Sequence, residues 1–254
     1  MSCAGCRDGA GFDLPITMAF QPIVDVTTQT VFAYEALVRG KDGRGAGQVL
    51  SHISHDNRYA FDQLCRTTAI DLAAGLDMTA GGASLSINFL PNAVYSPMAC
   101  IQLTLRTAAA TGFPPERLIF EFTENERIAD TAHVRSIIDT YRRLGFATAI
   151  DDFGAGHAGL GLLANMQTDV IKLDMDLIRG IEASLPRRMI VESIVRMCAA
   201  LDIRLIAEGV ETAAEYHALR ALGIRYMQGF LIARPAFEAL PDYVLPEHRA
   251  KRAA

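Results

Sequence analysis

The chain has 254 residues, half of them apolar, and carries a net charge of −5 at neutral pH. That size suits a single barrel-sized domain with a substantial core, and the acidic balance argues against binding to polymeric nucleic acid. The sequence has no apolar run of about 18 residues that could span a membrane and no signal-peptide pattern at its start, so we expect a cytoplasmic protein without a membrane partner.

The chain opens with a predicted leader, residues 1–16, and closes with a polar tail, residues 245–254, so the folded domain is expected over 17–244. Cys3 and Cys6 in the leader form a C-x-x-C pair. This pair fits either a mobile tail with two free thiols or a redox or metal site. Three further cysteines lie in apolar or helix-like stretches and are expected to be reduced and packed: Cys65, Cys100 and Cys198.

Strand-like and helix-like segments alternate through the rest of the chain, which is typical of a parallel α/β fold. The first two strands, residues 18–26 and 31–39, are an exception, because only Thr27 to Thr30 separate them. So short a link favours an antiparallel hairpin over a helical crossover. Later strands are expected at residues 84–90, 117–123, 146–151, 169–174, 203–209 and 224–230. The sequence therefore predicts a TIM-like (β/α)8 barrel whose first strand is antiparallel.

Three helix-like segments lie between these strands. Asp130 can cap a helix that stops at Gly145, Pro186 suits the first turn of another, and a long segment runs from Arg58 to Leu76. The apolar stripe expected to face the core in the first helix is Val134, Ile137, Ile138, Tyr141 and Leu144. The corresponding stripe in the second is Met189, Ile190, Ile194, Met197, Cys198 and Leu201.

Most of the predicted strands end in a polar residue, and the ends of parallel barrel strands meet at one mouth. These residues are Glu35, Asn88, Glu121, Asp151, Asp152, Lys172, Glu208 and Gln228. So many carboxylates in one place repel each other unless cations lie among them, and the sequence therefore predicts a metal site. For single residues a structural alternative remains, since Glu121 could pair with an arginine and Lys172 could be half of a buried ion pair.

Strand periodicity indicates which side chains face the barrel interior. In the strand at 84–90 the apolar side chains share one face, which should pack on helices, so Asn88 is expected to point inward. Asp151 and Asp152 are adjacent and cannot both point inward from a regular strand. Asp152 is therefore expected to reach the site from the start of the following loop.

From about Met18 to Pro241 the chain resembles the EAL domain family of cyclic di-GMP phosphodiesterases. The signature Glu35-Ala36-Leu37 is followed by Val38-Arg39, as in the E-A-L-x-R pattern of the family. Other matching motifs follow in the family order: QPIVD (21–25), SINF (86–89), EFTE (121–124), DDFGAG (151–156), IKLD (171–174), AEGVE (207–211) and QGF (228–230). The stretches NRYAFDQLCRTTAI and LSINFLPNAVY are most similar to EAL domains attached to blue-light-sensing BLUF domains, although this sequence contains no such sensor.

The resemblance implies an enzyme that opens cyclic di-GMP to linear pGpG by a two-metal mechanism. The residues that it assigns to metal ligation are Glu35, Asn88, Glu121, Asp151, Asp152 and Glu208. In this assignment Asp151 bridges two cations. An all-oxygen ligand set favours Mg²⁺ or Mn²⁺ over Zn²⁺, and Ca²⁺ is expected to bind but inhibit, because its looser geometry positions water poorly. Lys172 would orient the attacking water or offset charge on the phosphoryl oxygens.

The resemblance also implies residues that bind the nucleotide or support its pocket. Arg39 corresponds to a phosphate contact, for which its planar guanidinium is suited. Further substrate-binding positions are Gln21, Leu37, Asp174, Gln228 and Pro235. Glu124 resembles the residue that holds the loop after Asp152, and Glu211 is expected to support the pocket. A homodimer is implied as well.

Two positions depart from the family pattern: His157, where relatives usually carry an aromatic residue, and Gly40, where many have tryptophan. In the family, the loop around His157 positions metal ligands and couples to the dimer interface. The change at this position is therefore expected to affect regulation more than turnover, because all the implied metal ligands remain. The main alternative is a degenerate EAL domain that binds cyclic di-GMP or another protein without hydrolysis. Degenerate members usually lose the first glutamate, the tandem aspartates or the lysine, all present here. A third alternative is a general nuclease or phosphatase. The sequence disfavours it, because it lacks the basic groove expected for polymeric substrates.

Overall fold

The computed structural model describes residues 11–123, 130–156 and 159–247 of the chain. Its centre is a closed barrel of eight strands. The strands are β1 (Ile16–Asp25), β2 (Thr30–Gly40), β3 (Ser84–Asn88), β4 (Leu118–Thr123), β5 (Ala147–Phe153), β6 (Val170–Leu173), β7 (Arg204–Ala207) and β8 (Tyr226–Met227). A two-residue strand, β9 (Ala236–Phe237), pairs antiparallel with β1 at Ala19 and Phe20.

The barrel closes through β1, which is antiparallel to both of its neighbours, β2 and β8. Every pairing from β2 round to β8 is parallel. The hairpin between β1 and β2 is tight because Asp25 Oδ1 accepts hydrogen bonds from the backbone N–H groups of Thr27 and Thr28, at 2.9 and 3.2 Å. The predicted TIM-like barrel with one antiparallel first strand is therefore confirmed.

Helices occupy the connections between the strands. They are α1 (Ala46–Leu50), α2 (Arg58–Gly75), α3 (Pro97–Cys100), α4 (Gln102–Thr111), α5 (Thr131–Arg143), α6 (Gly159–Asn165), α7 (Met175–Ile178), α8 (Leu185–Ala200) and α9 (Ala213–Ala221). The predicted cap of α5 is confirmed, since the Asp130 side chain accepts hydrogen bonds from the N–H groups of Ala132 and His133. Gly145 follows α5 with a φ of +87°, as the predicted helix stop requires. Within the described residues, no helix combines the length and apolar character needed to cross a membrane.

The core has two layers. The larger layer lies between the strands and the helices, and it contains Leu85, Ile87 and Phe89, the face of β3 that was expected to point outward. The smaller layer fills the barrel interior at the amino-terminal ends of the parallel strands, and it consists of Ile23, Ala33, Ile119, Ala149, Val170 and Ile206. Cys65, Cys100 and Cys198 are buried free thiols, as predicted.

The predicted core stripe of α8 is wrong in part. Ile194 and Cys198 are buried as predicted, but Met189, Ile190 and Leu201 are exposed, and Val191, which the predicted stripe omitted, is buried. The apolar residues of α8 cover more than one face, and burial selects the stripe spaced by three and four residues that meets the barrel.

Residues next to both predicted domain boundaries also take part in the fold. Strand β1 begins at Ile16, one residue inside the predicted leader. Leu245, at the start of the predicted polar tail, is fully buried in the core.

Candidate metal and nucleotide site

Successive strands bring the predicted polar residues to one end of the barrel. Glu35 lies on β2, Asn88 ends β3, and Glu121, Asp151 and Lys172 lie on β4, β5 and β6. Strands β7 and β8 are shorter than predicted, so Glu208 and Gln228 lie just beyond them. Their backbone N–H groups still bond the neighbouring strand ends, at Leu173 O and Ala207 O. Through these hydrogen bonds the two residues continue the barrel wall, and their side chains reach the same mouth.

Lys172 lies at the centre of the carboxylates and is almost completely buried. Its Nζ is 2.8 Å from Glu208 Oε1, 3.1 Å from Glu121 Oε2, 3.2 Å from Asp151 Oδ1 and 3.5 Å from Glu35 Oε1. Four carboxylates around one ammonium leave a net charge of −3 when all are ionised. The lysine alone therefore cannot neutralise this site when all four are ionised, and bound protons or further cations must balance the remaining charge.

The pKa values of the cluster show how its side chains respond to this charge. Burial raises the pKa of Glu121 well above its usual range, although Lys172 opposes the shift. Burial and the nearby Asp151 raise the pKa of Glu208 in the same way. For Asp151, burial is outweighed by Lys172 and by hydrogen bonds, which hold its pKa below the usual value. Burial lowers the pKa of Lys172, but the surrounding carboxylates outweigh it and raise that pKa well above its usual range, so the lysine stays charged.

Neutral side chains connect the carboxylates to the strands on either side. Ser86 Oγ donates to Glu121 Oε2 at 2.6 Å, and Asn88 Nδ2 donates to Glu121 Oε1 at 2.9 Å and to Glu35 Oε1 at 3.2 Å. On the other side of Glu35, Gln228 Nε2 donates to its Oε2 at 2.7 Å and to Gln21 Oε1 at 3.1 Å. The Glu35 carboxylate is thus fixed in place by amides from both directions.

Asp152 reaches the site by a different route from the one predicted. It lies within β5 and not at the start of the loop. The pairing of β5 with β6 is irregular between Ile150 and Phe153, so the strand does not alternate regularly at this point. The φ of Asp152, +54°, falls in the left-handed region, which breaks the alternation and lets neighbouring carboxylates face the mouth together. Burial and the adjacent Asp151 raise the pKa of Asp152 to about 6.

The carboxylates form two groups that could each hold a cation. Glu35, Glu121 and Asp151 offer one oxygen each within 4.8 Å of one another, and Asp151, Asp152 and Glu208 do the same. Asp151 belongs to both groups, so it is the residue able to bridge. Hard oxygen donors at this spacing fit Mg²⁺ or Mn²⁺. Asn88 now points Nδ2 at the carboxylates, and a half-turn of its amide would present Oδ1 to a cation.

A cleft of about 300 Å³ opens above the acidic cluster. Four of the predicted substrate or support residues line it. Asp174 caps α7 by accepting from the N–H of Asp176, and Glu211 lies 2.9 Å from Arg179 Nη1. Gln21 and Gln228 line the same cleft. Met175 and Phe230, which the sequence reasoning missed, form its exposed apolar wall.

Other predicted substrate residues lie outside this cleft. Leu37 lines a neighbouring apolar pocket between β2, β3 and α2. Arg39 is half-buried at the end of β2, and its Nη1 donates to Val38 O at 2.7 Å. Pro235 immediately precedes β9. Glu124, His157 and the Cys3–Cys6 pair lie outside the described residues.

Glycines allow the loops after β7 and β8 to interlock. A Cβ atom on Gly229 would lie 2.1 Å from Val210 O and 2.3 Å from Val210 N, so no other residue fits there. The N–H of Val210 donates to Gln228 O at 3.1 Å across the same contact. The AEGVE and QGF motifs are therefore one structural unit, which holds Glu208 and Gln228 together.

Comparisons with known proteins agree with this architecture. The EAL domain profile matches residues 15–235 of the chain. A standalone versatile EAL protein from Vibrio cholerae O395, solved in its c-di-GMP-bound form, has a TM-score of 0.88 at 50% identity, covering 91% of this chain and 97% of that one. A manganese/cyclic di-GMP complex of Klebsiella pneumoniae BlrP1 has a TM-score of 0.83 at 37% identity, covering 89% of this chain and 57% of that one.

Curated relatives include the blue light- and temperature-regulated antirepressor BluF of Escherichia coli K12, which is 32% identical over 231 residues. That match covers 91% of this chain but 57% of BluF, so the chain spans little more than half of this relative. Further relatives are named as cyclic di-GMP phosphodiesterases. The barrel, the acidic mouth and a profile match over most of the sequence lead to one conclusion: the chain belongs to the EAL domain family.

Proposed function

We propose that the protein is a Mg²⁺- or Mn²⁺-dependent phosphodiesterase that hydrolyses cyclic di-GMP to linear pGpG. The observation that carries this proposal is the pair of carboxylate groups that share Asp151 around Lys172. Such a pair suits two cations at one phosphodiester. The cyclic di-GMP complexes of the Vibrio cholerae and BlrP1 proteins support the choice of substrate.

In this proposal the chain's own residues hold the cations, orient the substrate and neutralise charge on its phosphates. The cations would be held by Glu35, Asn88, Glu121, Asp151, Asp152 and Glu208. When bound, they supply an acidified water and stabilise charge on the phosphate. Lys172 adds positive charge beside the phosphoryl oxygens, and Arg39 at the mouth binds the second phosphate. Water adds to phosphorus, the bond from phosphorus to the ribose 3′ oxygen breaks, and that oxygen leaves as a hydroxyl with a 5′ phosphate remaining on the other end.

The test is incubation of purified protein with cyclic di-GMP and Mg²⁺ or Mn²⁺, with chromatographic separation of the products. Appearance of pGpG in the wild type and its loss in Glu35→Gln would support the enzyme, with Glu182→Gln as an exposed control. Ca²⁺ should bind without supporting turnover. Absence of pGpG with either metal would refute the proposal.

The second candidate is a receptor that binds cyclic di-GMP without cleaving it. The resemblance to BluF favours it, because that relative is named as an antirepressor and not as an enzyme. One experiment distinguishes the two functions. A receptor would leave bound cyclic di-GMP intact in the presence of Mg²⁺ or Mn²⁺, whereas the enzyme would convert it to pGpG.

We also propose that the protein forms a homodimer through an apolar groove of about 580 Å³ beside α8. Leu160, Met189 and Ile190 in this groove are 66%, 60% and 48% exposed, which is unusual for such large apolar side chains. Phe153 and Gly154, which follow the tandem aspartates, line the same groove. Sedimentation analysis should show a dimer that Met189→Glu converts to a monomer, whereas Met98→Glu, at another exposed methionine, should not. A monomeric wild type would refute this interface.

A further inference from the structure

A charged pair is buried on the face of α2 that packs against the barrel. Asp62 is 2% exposed and Arg66 is completely buried. Arg66 Nη2 lies 2.8 Å from Asp62 Oδ2, which also accepts a hydrogen bond from Gln63 Nε2 at 3.3 Å. A buried ion pair contributes little to stability compared with apolar residues of the same size. Its presence here therefore needs an explanation other than stability.

The pair is attached to the turn that follows the predicted metal ligand Asn88. Asp62 Oδ1 accepts a hydrogen bond from the backbone N–H of Leu90 at 2.9 Å, two residues after Asn88. Between them, the N–H of Phe89 donates to Glu121 O at 2.9 Å. Both backbone N–H groups after Asn88 are thus occupied, one by the neighbouring strand and one by Asp62.

Arg66 completes the attachment. Its guanidinium lies 5.4 Å from the centroid of the Phe89 ring and 5.2 Å from that of Phe120, which is the range of cation–π contacts. Its Nη1 also donates to Tyr141 Oη at 2.7 Å, so α2 is connected to α5. The turn after β3 is held at its backbone by Asp62 and at its aromatic side chain by Arg66.

We propose that the Asp62–Arg66 pair is a positioning device for Asn88 in the metal site. This inference rests on the proposed metal-dependent function. Asn88 ends β3, and the turn after it would relax if the Leu90 N–H lost its partner. The Asn88 side chain would then move relative to Glu35 and Glu121, which it now bridges. Partners that orient metal ligands typically change metal affinity by about 10- to 100-fold when removed.

The test measures Mn²⁺ binding by calorimetry on protein freed of metal with EDTA, together with the melting temperature in EDTA. Asp62→Asn should raise the Kd for Mn²⁺ about 10-fold, the low end of the range for such partners, because the side-chain shape is kept. Asp25→Asn is the matched control. Asp25 is also a buried aspartate with an arginine partner, Arg225, but it lies at the opposite end of the barrel. This control should lower the melting temperature and leave the Kd within about 2-fold of the wild type.

A folded Asp62→Asn protein with a lower melting temperature and an unchanged Kd would overturn the inference, since the pair would then be structural only. If Asp62→Asn does not fold, Tyr141→Phe tests the proposal in its place, because it removes only the hydroxyl that accepts a hydrogen bond from Arg66. We expect about a 3-fold higher Kd for that variant, and an unchanged value would again overturn the proposal. A wild type that binds no Mn²⁺ would instead remove the metal-dependent function itself, so the two failures are distinguishable.

Discussion

Replacement of Lys172 by methionine tests whether cations share the neutralisation of the acidic mouth. The change keeps an unbranched apolar side chain that reaches as far as Cε, with sulfur in place of Cδ, and it removes the ammonium group. Four carboxylates then remain, and each of them lies within 3.5 Å of the lysine Nζ in the wild type. The metal-free protein should become less stable, and the affinity of the site for divalent cations should rise.

The size of the effect follows from the burial of the lysine. Loss of one partner from a buried ion pair costs about 3–5 kcal/mol. We expect the low end, about 3 kcal/mol, because the pKa values of Glu121 and Glu208 are already raised and these groups can take up protons. For a chain of this size, 1 kcal/mol corresponds to about 2–4 °C in melting temperature. The melting temperature in EDTA should therefore fall by about 6–12 °C.

The assay is thermal unfolding at pH 8, in EDTA and in Mn²⁺, for the wild type and Lys172→Met. A cation at 100 times its Kd stabilises a protein by about 2.7 kcal/mol, and the gain should be larger in the variant because its site is more negative. Lys41→Met, at an exposed lysine, is the control and should change neither value. The reasoning is refuted if Mn²⁺ stabilises Lys172→Met less than it stabilises the wild type.

Three further predictions concern other parts of the site. Mn²⁺ affinity should rise between pH 5 and 7, because Asp152, with a pKa of about 6, must lose its proton to bind; calorimetry across pH checks this. Gly229→Ala should lower the melting temperature sharply, since its Cβ would collide with Val210 O, whereas Gly161→Ala, with open space in α6, should not. Arg39→Lys should raise KM for cyclic di-GMP about 10-fold without changing Mn²⁺ affinity, because lysine lacks the planar fork.

The barrel and its acidic mouth follow from the sequence because each strand carries its own signal. Alternation on β3 places Leu85 and Ile87 outward and Asn88 toward the mouth, and parallel pairing then brings Asn88 beside Glu121. The four-residue link before β2 similarly requires a hairpin. These features depend on local spacing, which a single sequence displays directly.

Features that depend on packing between elements are less visible in the sequence. A regular strand cannot turn both tandem aspartates to one face, and the irregular pairing at Asp152 depends on β6. Apolar residues of α8 signal burial, but the sequence does not show which of them, such as Met189, remain exposed. Asp62 and Arg66, four residues apart on a helix, look like a solvent-exposed pair until α2 is docked.

The apolar layer inside the barrel has a consequence for how the site exchanges with its surroundings. Ile23, Ala33, Ile119, Ala149, Val170 and Ile206 seal the end opposite the mouth. Within the part of the chain that the structure describes, these side chains separate the carboxylates from that end of the barrel, so we expect water and ions to exchange through the mouth, which would act as their portal. A bound nucleotide that covered that portal would trap whatever ions were already inside, and metals would then have to load before the nucleotide and leave after it.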